Sequence, residues 1–318
     1  MVVIASLIGI GIGVLISPLL DYLQKWLKLR RSFCAFFLII GMLICTAIIG
    51  GLIGWVIFEQ GSVLMKDMPE FSAKLRAQLE NIFDRFPWIL ERIKGFDFVG
   101  TFQGIGHYLL GGIQLGFALI GGVLFAIIIG IYLAMDSDSY FRGAVRAFPP
   151  QHRDRAQDLL KKCAYVIRAW FRAQLIDMAI IGLITTIGLL IAGVKFWALF
   201  GLLTALFGII PYVGVMIVVV MVSLITLASD PSQVPWVLLV FIITQQIEGN
   251  LVLPWVMKGQ AEIPEVLLLI VMLFFGFWFG LIGVFIAPPL VAVMLCLYRN
   301  LYLPAIETCH SPVTSPTH

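Results

Sequence analysis

The residues best suited to chemistry form a polar cluster, residues 244–250, at the end of an apolar stretch. Glu248 is the only acid of this cluster, and helical spacing places it on the same face as Gln245. Gly249 and the following Pro254 are expected to leave backbone carbonyl groups without helical partners. A carboxylate among amides and carbonyls can hold a cation or a proton. The cluster therefore indicates a binding position for an ion or a polar solute.

Glu248 also has a purely structural interpretation, in which it caps a helix junction or pairs with Lys258, and the sequence leaves both open. A second acid, Asp177, lies one helical turn into an apolar stretch. Its simpler interpretation is an interfacial acid near Arg172. Charged groups at membrane depth are costly and usually face a protein interior or a water-filled path. The candidate path residues are Gln174, Asp177, Gln245, Gln246, Glu248 and Asn250.

Two apolar stretches are too long for single membrane-crossing helices. Residues 196–228 would run about 48 Å and residues 264–298 about 52 Å, against a hydrocarbon core of about 30 Å. Both contain glycine and proline, which predicts a hairpin around 208–214 and two helical arms around 276–289; a plain kink is the alternative for the first. The predicted break positions are Gly208, Pro211, Tyr212, Gly214, Gly249, Pro254, Gly276, Gly280, Gly283 and Pro288. Discontinuous helices form substrate sites in many secondary transporters.

The sequence shows no motif for catalysis or nucleotide binding. No Gly-Lys pair occurs, so the phosphate-binding loop of an ATPase is absent, as are a Gly-x-Ser-x-Gly elbow and a His-Glu-x-x-His zinc pair. The four histidines are scattered, and the five cysteines show no paired spacing. We therefore expect no catalytic residues, no metal site and no cofactor. An intramembrane enzyme is the weakest of the functional hypotheses.

The amino-acid composition indicates whether water or lipid surrounds the chain. Of 318 residues 61% are hydrophobic and 12% are charged, and the mean hydropathy is +1.03. Soluble domains contain about 45–50% apolar residues. The formal charge of +3 is too small to indicate a nucleic-acid surface. Most of the chain is therefore expected to lie in a lipid bilayer.

The distribution of basic residues predicts the topology. Residues 21–32 carry four bases and one acid, and residues 136–173 carry eight bases and four acids, which places both segments inside. Residues 59–107 carry six bases and seven acids and lie outside if each flanking span crosses once. The N-terminal run has no basic leader and is expected to cross from outside to inside. The six apolar regions are residues 2–20, 33–58, 108–135, 174–194, 196–228 and 233–298.

Two of the polar segments are predicted to be amphipathic helices. In the outer one, apolar residues recur every three or four positions between Pro69 and Pro87, and this face needs the membrane surface or another subunit as its partner. In the inner one, residues 151–172, apolar side chains alternate with bases, so it is expected to lie along the anionic inner leaflet. An ordinary soluble helix hairpin is the alternative for the inner segment.

Several motifs resemble those of the autoinducer-2 exporter family of bacterial permeases. The matching segments, which cover nearly the whole chain to about Leu303, are Arg172-Ala173-Gln174-Leu175, Ile210-Pro211-Tyr212-Val213-Gly214, Gln246-Ile247-Glu248-Gly249-Asn250-Leu251-Val252-Leu253-Pro254, Met257-Lys258-Gly259, Gly280-Leu281-Ile282-Gly283 and Ala287-Pro288-Pro289-Leu290. In this chain Trp255 stands where the family usually has arginine, and the family has an additional span before the one that matches residues 2–20.

The resemblance implies a multi-pass protein of the bacterial inner membrane with about eight membrane segments. It also implies a homopentamer and places Lys258 and Gly259 in a family motif. Members are described as exporters of the quorum-sensing signal autoinducer-2, and some as sodium–proton antiporters. The resemblance therefore implies the lipid bilayer, other copies of the chain, a small solute and H⁺ or Na⁺ as partners, with no nucleic acid.

Together these observations predict an all-α polytopic membrane protein with hairpin helices and an extracytoplasmic amphipathic segment. The first hypothesis is a secondary transporter that exports a small polar solute such as autoinducer-2. A sodium–proton antiporter and a non-transporting assembly protein are the alternatives. The predicted organisation is two spans with a basic cytoplasmic loop (1–58), an extracytoplasmic helical segment (59–107), one span (108–135), a basic cytoplasmic segment (136–173), a transport core (174–303) and a disordered tail (304–318).

Overall fold

Every element in the described part of the chain is a helix, which confirms the all-α class. The computed structural model describes residues 13, 16–17, 19–28, 30–83, 130, 132, 135–211, 213–256, 264–303 and 306. The chain divides into two compact units. The first unit comprises Met1–Ile39, Ala126–Ala173 and Met257–His318, and the second unit comprises Ile40–Phe125 and Gln174–Val256.

Nine α-helices are described. They are α1 (Arg31–Val56), α2 (Ser62–Phe83), α3 (Ser137–Arg146), α4 (Arg153–Ile191), α5 (Trp197–Phe207), α6 (Val213–Ser229), α7 (Val234–Ile247), α8 (Leu253–Val256) and α9 (Glu265–Leu297). Short 3₁₀ turns at Pro150–His152 and Pro231–Gln233 precede α4 and α7. Segments of π-helix at Ile57–Gly61, Glu248–Val252 and Tyr298–Tyr302 follow α1, α7 and α9.

Four helical stretches in the described residues are long and apolar enough to cross a membrane, namely Ser32–Glu80, Pro150–Ile191, Pro231–Val256 and Gly283–Tyr302. The apolar window of the first is 0% buried within the chain. Exposing this much apolar surface to water would be unfavourable by about 25 cal/mol per Å². The surface fits lipid, and the prediction of a polytopic membrane protein is confirmed. The predicted spans at 2–20 and 108–135 lie largely outside the described residues.

The helix that contains α1 and α2 is continuous from Ser32 to Glu80. Its 49 residues correspond to about 74 Å, more than twice the thickness of a hydrocarbon core. The prediction that the amphipathic helix begins after Pro69 is wrong, because Pro69 lies inside α2. Met68 and Phe71 on either side of the proline are buried, and this packing offsets the backbone hydrogen bond that proline lacks.

The apolar face of α2 packs inside the second unit. Met68, Phe71, Leu75 and Leu79 join the core of that unit, and the first three line a groove completed by Leu224, Ile225 and Ala228 of α6. The expectation that the membrane surface or another subunit covers this face is therefore wrong for the described part of the helix. Burial of this face explains why α2 holds its helical form despite Pro69.

Polar contacts fasten the beginning of α5 to α2 and the π-helical segment before it. The Gln60 side-chain oxygen accepts the backbone N–H of Leu199 at 3.0 Å and so caps the first turn of α5. Lys195 pairs with Asp67 at 2.7 Å, and its ammonium lies 5.2 Å from the ring centroid of Phe196. These contacts hold the turn between α4 and α5 in place.

In the first unit, the basic half of α4 packs antiparallel to the end of α9. Trp170 contacts Phe285 edge-to-face with ring centroids 6.3 Å apart, and Lys162 Nζ donates to Asn300 Oδ1 at 2.7 Å. The helix continues from Arg153 to Ile191. The alternative of a soluble hairpin within residues 151–172 is therefore wrong, because a hairpin would need a turn. The location of this segment at the inner leaflet stays a prediction.

The bend in α9 lies at Gly280, where φ is 62° and ψ is −147°. The two predicted arms are present: a Cβ at Gly276 would press on Val284, and a Cβ at Gly283 would overlap the carbonyl of Phe275, so the arms fold closely together. The expected break at Pro288 is wrong, because the helix continues through Pro288 and Pro289. Prolines persist inside membrane helices where neighbouring groups compensate the lost hydrogen bond.

The bend at Gly280 generates the first prediction. The Gly280→Ala substitution should lower the free energy of unfolding by about 1–3 kcal/mol, because this backbone region is populated almost only by glycine. The Gly50→Ala variant is the matched control, since an added Cβ has no atom within 4 Å at either position and Gly50 lies in a regular helix. The measurement is the thermal unfolding midpoint of both variants in detergent. Equal midpoints would contradict the backbone argument.

Candidate functional site

The second half of α4 is the central helix of the candidate site. It runs antiparallel to α5, with small residues at the contacts: a Cβ at Gly182 would press on Ala205, and one at Gly201 would overlap Thr186. Glycine at such positions lets helix backbones approach closely, which is a common form of helix packing in membranes. The two helices form a tight hairpin within the second unit.

The same half of α4 also runs antiparallel to α7. Gly188 approaches Val240 so closely that a Cβ would lie 2.6 Å from its side chain. Towards the other end of the contact, the carboxylate of Asp177 lies within electrostatic range of Glu248. The two acids are 71 positions apart in the sequence, and the antiparallel packing brings them together.

Both acids continue the buried face of their helix. In the second half of α4 the buried face includes Gln174, Asp177, Ile181, Thr185 and Leu189. On α7 they are Val237, Phe241 and Thr244, and Glu248 follows one turn later, half-buried. Residues three or four positions apart share a face of an α-helix. The carboxylates therefore lie where two buried faces end, within the protein.

The predicted helix break is present between α5 and α6. Residues 208–211 form turns, and α6 begins at Val213. Gly214 lies against the carbonyl of Phe207, where a Cβ would overlap it. The side chain of Gln174 donates to the carbonyl oxygen of Gly208 at 2.9 Å. Gln174 thus satisfies a backbone group that the break releases, and it fixes the break beside the turn of α4 that carries Asp177.

The polar cluster makes hydrogen bonds within itself. Gln245 Nε2 donates to Glu248 Oε2 at 2.6 Å, in agreement with their predicted common face. Asn250 Nδ2 donates to the backbone oxygen and to the side-chain oxygen of Gln246, both at 2.9 Å. Gln245, Gln246 and Asn250 are exposed, whereas Glu248 is half-buried.

The helix is not broken at Gly249 or Pro254, so that part of the prediction is wrong. The chain passes from α7 into the π-helical segment Glu248–Val252 and then into α8, which contains Pro254. Proline has no N–H to donate, so a wider helical turn before it is one way to re-pair the backbone. Short π-helical segments are frequent at functional sites. Tyr212, Lys258 and Gly259 lie outside the described residues, as does any pairing of Glu248 with Lys258.

Asp177 has the environment of a binding group. Its side chain is 8% exposed, and Oδ1 has no hydrogen-bond partner among the described residues. An interfacial acid near Arg172 would face water, so the burial of Asp177 does not fit that interpretation. Its place on a transport path stays a prediction. Buried polar atoms are usually paired, and an unpaired carboxylate oxygen is a place for a proton or a cation.

Thr244 is a site residue that the sequence analysis missed. It is fully buried, and its hydroxyl has no partner among the described residues. Its position four residues before Glu248 was the available signal, because residues at this spacing lie on one face. No group of three or more metal-binding side chains occurs in the described part of the chain. The site therefore combines two carboxylates, one hydroxyl and nearby amides.

The Gln174 hydrogen bond generates the second prediction. The Gln174→Ala substitution should lower the free energy of unfolding by about 1–3 kcal/mol, because it leaves the buried carbonyl of Gly208 without a partner. The matched control is Gln233→Ala, which removes an exposed bond of 3.3 Å to the carbonyl of Gly193 and should cost less than about 0.5 kcal/mol. Chemical or thermal unfolding in detergent measures both. A smaller loss for Gln174→Ala than for the control would contradict the assigned role.

Comparison with known proteins places this architecture in a family. A family model described as AI-2E family transporter matches residues 1–302. YueF of Bacillus subtilis (strain 168) is 23% identical over 90% of this chain and 80% of its own length. YrrI of the same organism is 24% identical over 89% and 83%, and PerM of Escherichia coli (strain K12) is 24% identical over 90% and 86%. Each carries the name of a transport protein or a permease. The chain belongs to the AI-2E transporter family.

Proposed function

We propose that this protein is a secondary transporter and has no catalytic activity of its own, with Asp177 and Glu248 jointly holding the coupling cation, H⁺ or Na⁺. The observation that carries the proposal is a buried carboxylate with an unpaired oxygen that interacts electrostatically with a second, half-buried carboxylate. Two interacting carboxylates repel each other when both are ionised, and a bound proton or cation removes that repulsion. Membership of a transporter family and the absence of an ATPase motif in the sequence support gradient-driven transport.

The helix break supplies the second element of the mechanism. Gln174 joins the break at Gly208 to the turn of α4 that carries Asp177. A change in the charge of the carboxylate pair would therefore act one helical turn away from a segment without regular helical structure. Secondary transporters use discontinuous helices in this way, because helix ends present unpaired backbone groups to solute and ions.

The solute and the setting are proposed from the family. The proposed cargo is a small polar solute such as autoinducer-2, moved outward across a bacterial inner membrane by a multi-pass homo-oligomer. The family description, AI-2E family transporter, supports the transport part of this proposal. A sodium–proton antiporter would use the same carboxylate pair without a solute. A non-transporting assembly role has less support, because the described apolar face of α2 is covered by α6 of the same chain and is not open to a partner.

Removal of either carboxylate tests the proposal. In proteoliposomes with an imposed proton or sodium gradient, Asp177→Asn and Glu248→Gln should each reduce gradient-driven autoinducer-2 efflux, or sodium-driven proton movement reported by a trapped pH dye, by about tenfold or more. A tenfold loss corresponds to about 1.4 kcal/mol. The matched control is Glu70→Gln, an exposed acid on α2 that pairs with Lys74, and its flux should be unchanged. Wild-type flux in both site variants would remove the pair from the mechanism, and no flux in the wild-type protein would favour the assembly role.

The shared-cation model also predicts strong coupling between the two residues. If one cation needs both carboxylates, the double variant Asp177→Asn/Glu248→Gln should lose little more flux than either single variant, within about twofold. Residues that act as a unit are non-additive, whereas independent residues add in free energy. The measurement is the same flux assay on all four proteins. Multiplicative losses would show that the acids act separately.

A further inference from the structure

Two buried thiols face each other in the first unit. Cys163 lies in the basic half of α4 and Cys296 lies in the second arm of α9. Their sulfur atoms are 3.9 Å apart, although 133 positions separate them in the sequence. Both side chains are less than a tenth exposed. The transport mechanism proposed above uses neither residue.

Contacts on both sides of the thiols fix this register. On one side Lys162 donates to Asn300, whose Nδ2 donates in turn to the carbonyl of Cys296 at 2.8 Å and approaches its sulfur at 3.7 Å. On the other side Trp170 packs against Phe285. Antiparallel helices held at two places along their contact cannot slide past each other, so the sulfurs stay together.

The geometry is within reach of a disulfide. A disulfide has a sulfur–sulfur distance of about 2.05 Å, so the atoms must approach by about 2 Å in total. Two thiols held this near each other by contacts on both sides are placed to form a disulfide on oxidation.

Polar residues flank the pair. Lys161 and Lys162 are exposed and directly precede Cys163, and Asn300 is partly exposed. Because the sulfurs themselves are buried, oxidation should be slow compared with that of a thiol in solution.

We propose that Cys163 and Cys296 form a reversible disulfide that ties the basic half of α4 to the second arm of α9. With hydrogen peroxide as oxidant, one thiolate attacks a peroxide oxygen to give a sulfenic acid, and the remaining peroxide oxygen leaves as water after protonation. The second thiolate attacks the sulfenic sulfur and releases a second water. The two thiols lose two electrons and two protons, and the peroxide gains them. A dithiol reductant reverses the bond by exchange.

The experiment counts thiols in the full-length protein. A background variant with serine at Cys34, Cys45 and Cys309 keeps only the two thiols of interest. The purified protein is treated with hydrogen peroxide, quenched, denatured in SDS and labelled with maleimide-polyethylene glycol. Glutathione in the same tube reports that the oxidant is active. Each labelled thiol shifts the band upwards. After oxidation the monomer should carry no label and show no shift, and after treatment with dithiothreitol it should carry two labels and show both shifts.

Matched variants keep the proposal falsifiable. In the same background, Cys163→Ser and Cys296→Ser each leave one thiol, which cannot form the intramolecular bond and should become labelled again after mild reduction of any sulfenic acid. Mass spectrometry of the oxidised two-cysteine protein should identify one peptide pair joined through residues 163 and 296. Retention of both labels while glutathione is oxidised, recovery only of disulfide-linked dimers, or thiols lost without a joined peptide pair would each overturn the proposal. The readout does not depend on transport, so its failure is separate from failure of the proposed function.

Discussion

The close approach of α4 to its neighbours at glycines is the constraint on which the rest of the second unit depends. Gly182 packs against Ala205 and Gly201 packs against Thr186, which brings α5 close to α4. Gly188 packs against Val240, which brings α7 close to α4. Lipid provides little hydrophobic force between helices, so shape complementarity at small residues carries much of their association. This packing sets the register in which Asp177 and Glu248 meet. A larger side chain at Gly188 would push α7 away from α4 and so separate the acids without touching either.

Polar groups inside this packing divide into those with a hydrogen-bond partner and those without one. Thr204 donates to the carbonyl of Phe200, and Gln174 donates to that of Gly208, so these side chains serve the structure. Asp177 Oδ1 and the Thr244 hydroxyl have no partner in the described residues, and the same holds for Gln78 Oε1 of α2, the Thr185 hydroxyl of α4 and the Ser223 and Thr226 hydroxyls of α6. A buried polar atom without a partner lowers the stability of the fold by about 1–3 kcal/mol. Among these atoms only Asp177 Oδ1 belongs to a carboxylate, and it is the atom with which the proposed cation would pair.

Local patterns were readable from the sequence, and contacts between distant segments were not. The break at Gly208 and Pro211 follows from local backbone chemistry, and the hydrogen bond between Gln245 and Glu248 follows from helical periodicity. The interaction of Asp177 with Glu248 depends on the packing of α7 against α4, which no local pattern around Asp177 reveals. The partner of the α2 face is α6, about 150 positions away along the chain. Pro69 misled the prediction because packing overrode an intrinsic preference. The sequence offered several candidate positions for the bend in α9. Only the backbone angles show that the bend lies at Gly280 and not at Pro288.

The two ends of α5 are held by different kinds of contact. Its start is held by the Gln60 side chain and by Lys195 in the preceding turn. Its other end is held by the close packing of Ala205 against Gly182 and by the hydrogen bond from Gln174 to the carbonyl of Gly208. Because the helix has eleven residues and is about 16 Å long, the two sets of contacts lie at the two ends of one short rod. Loss of Gln60 and loss of Gln174 would therefore loosen opposite ends of the same helix.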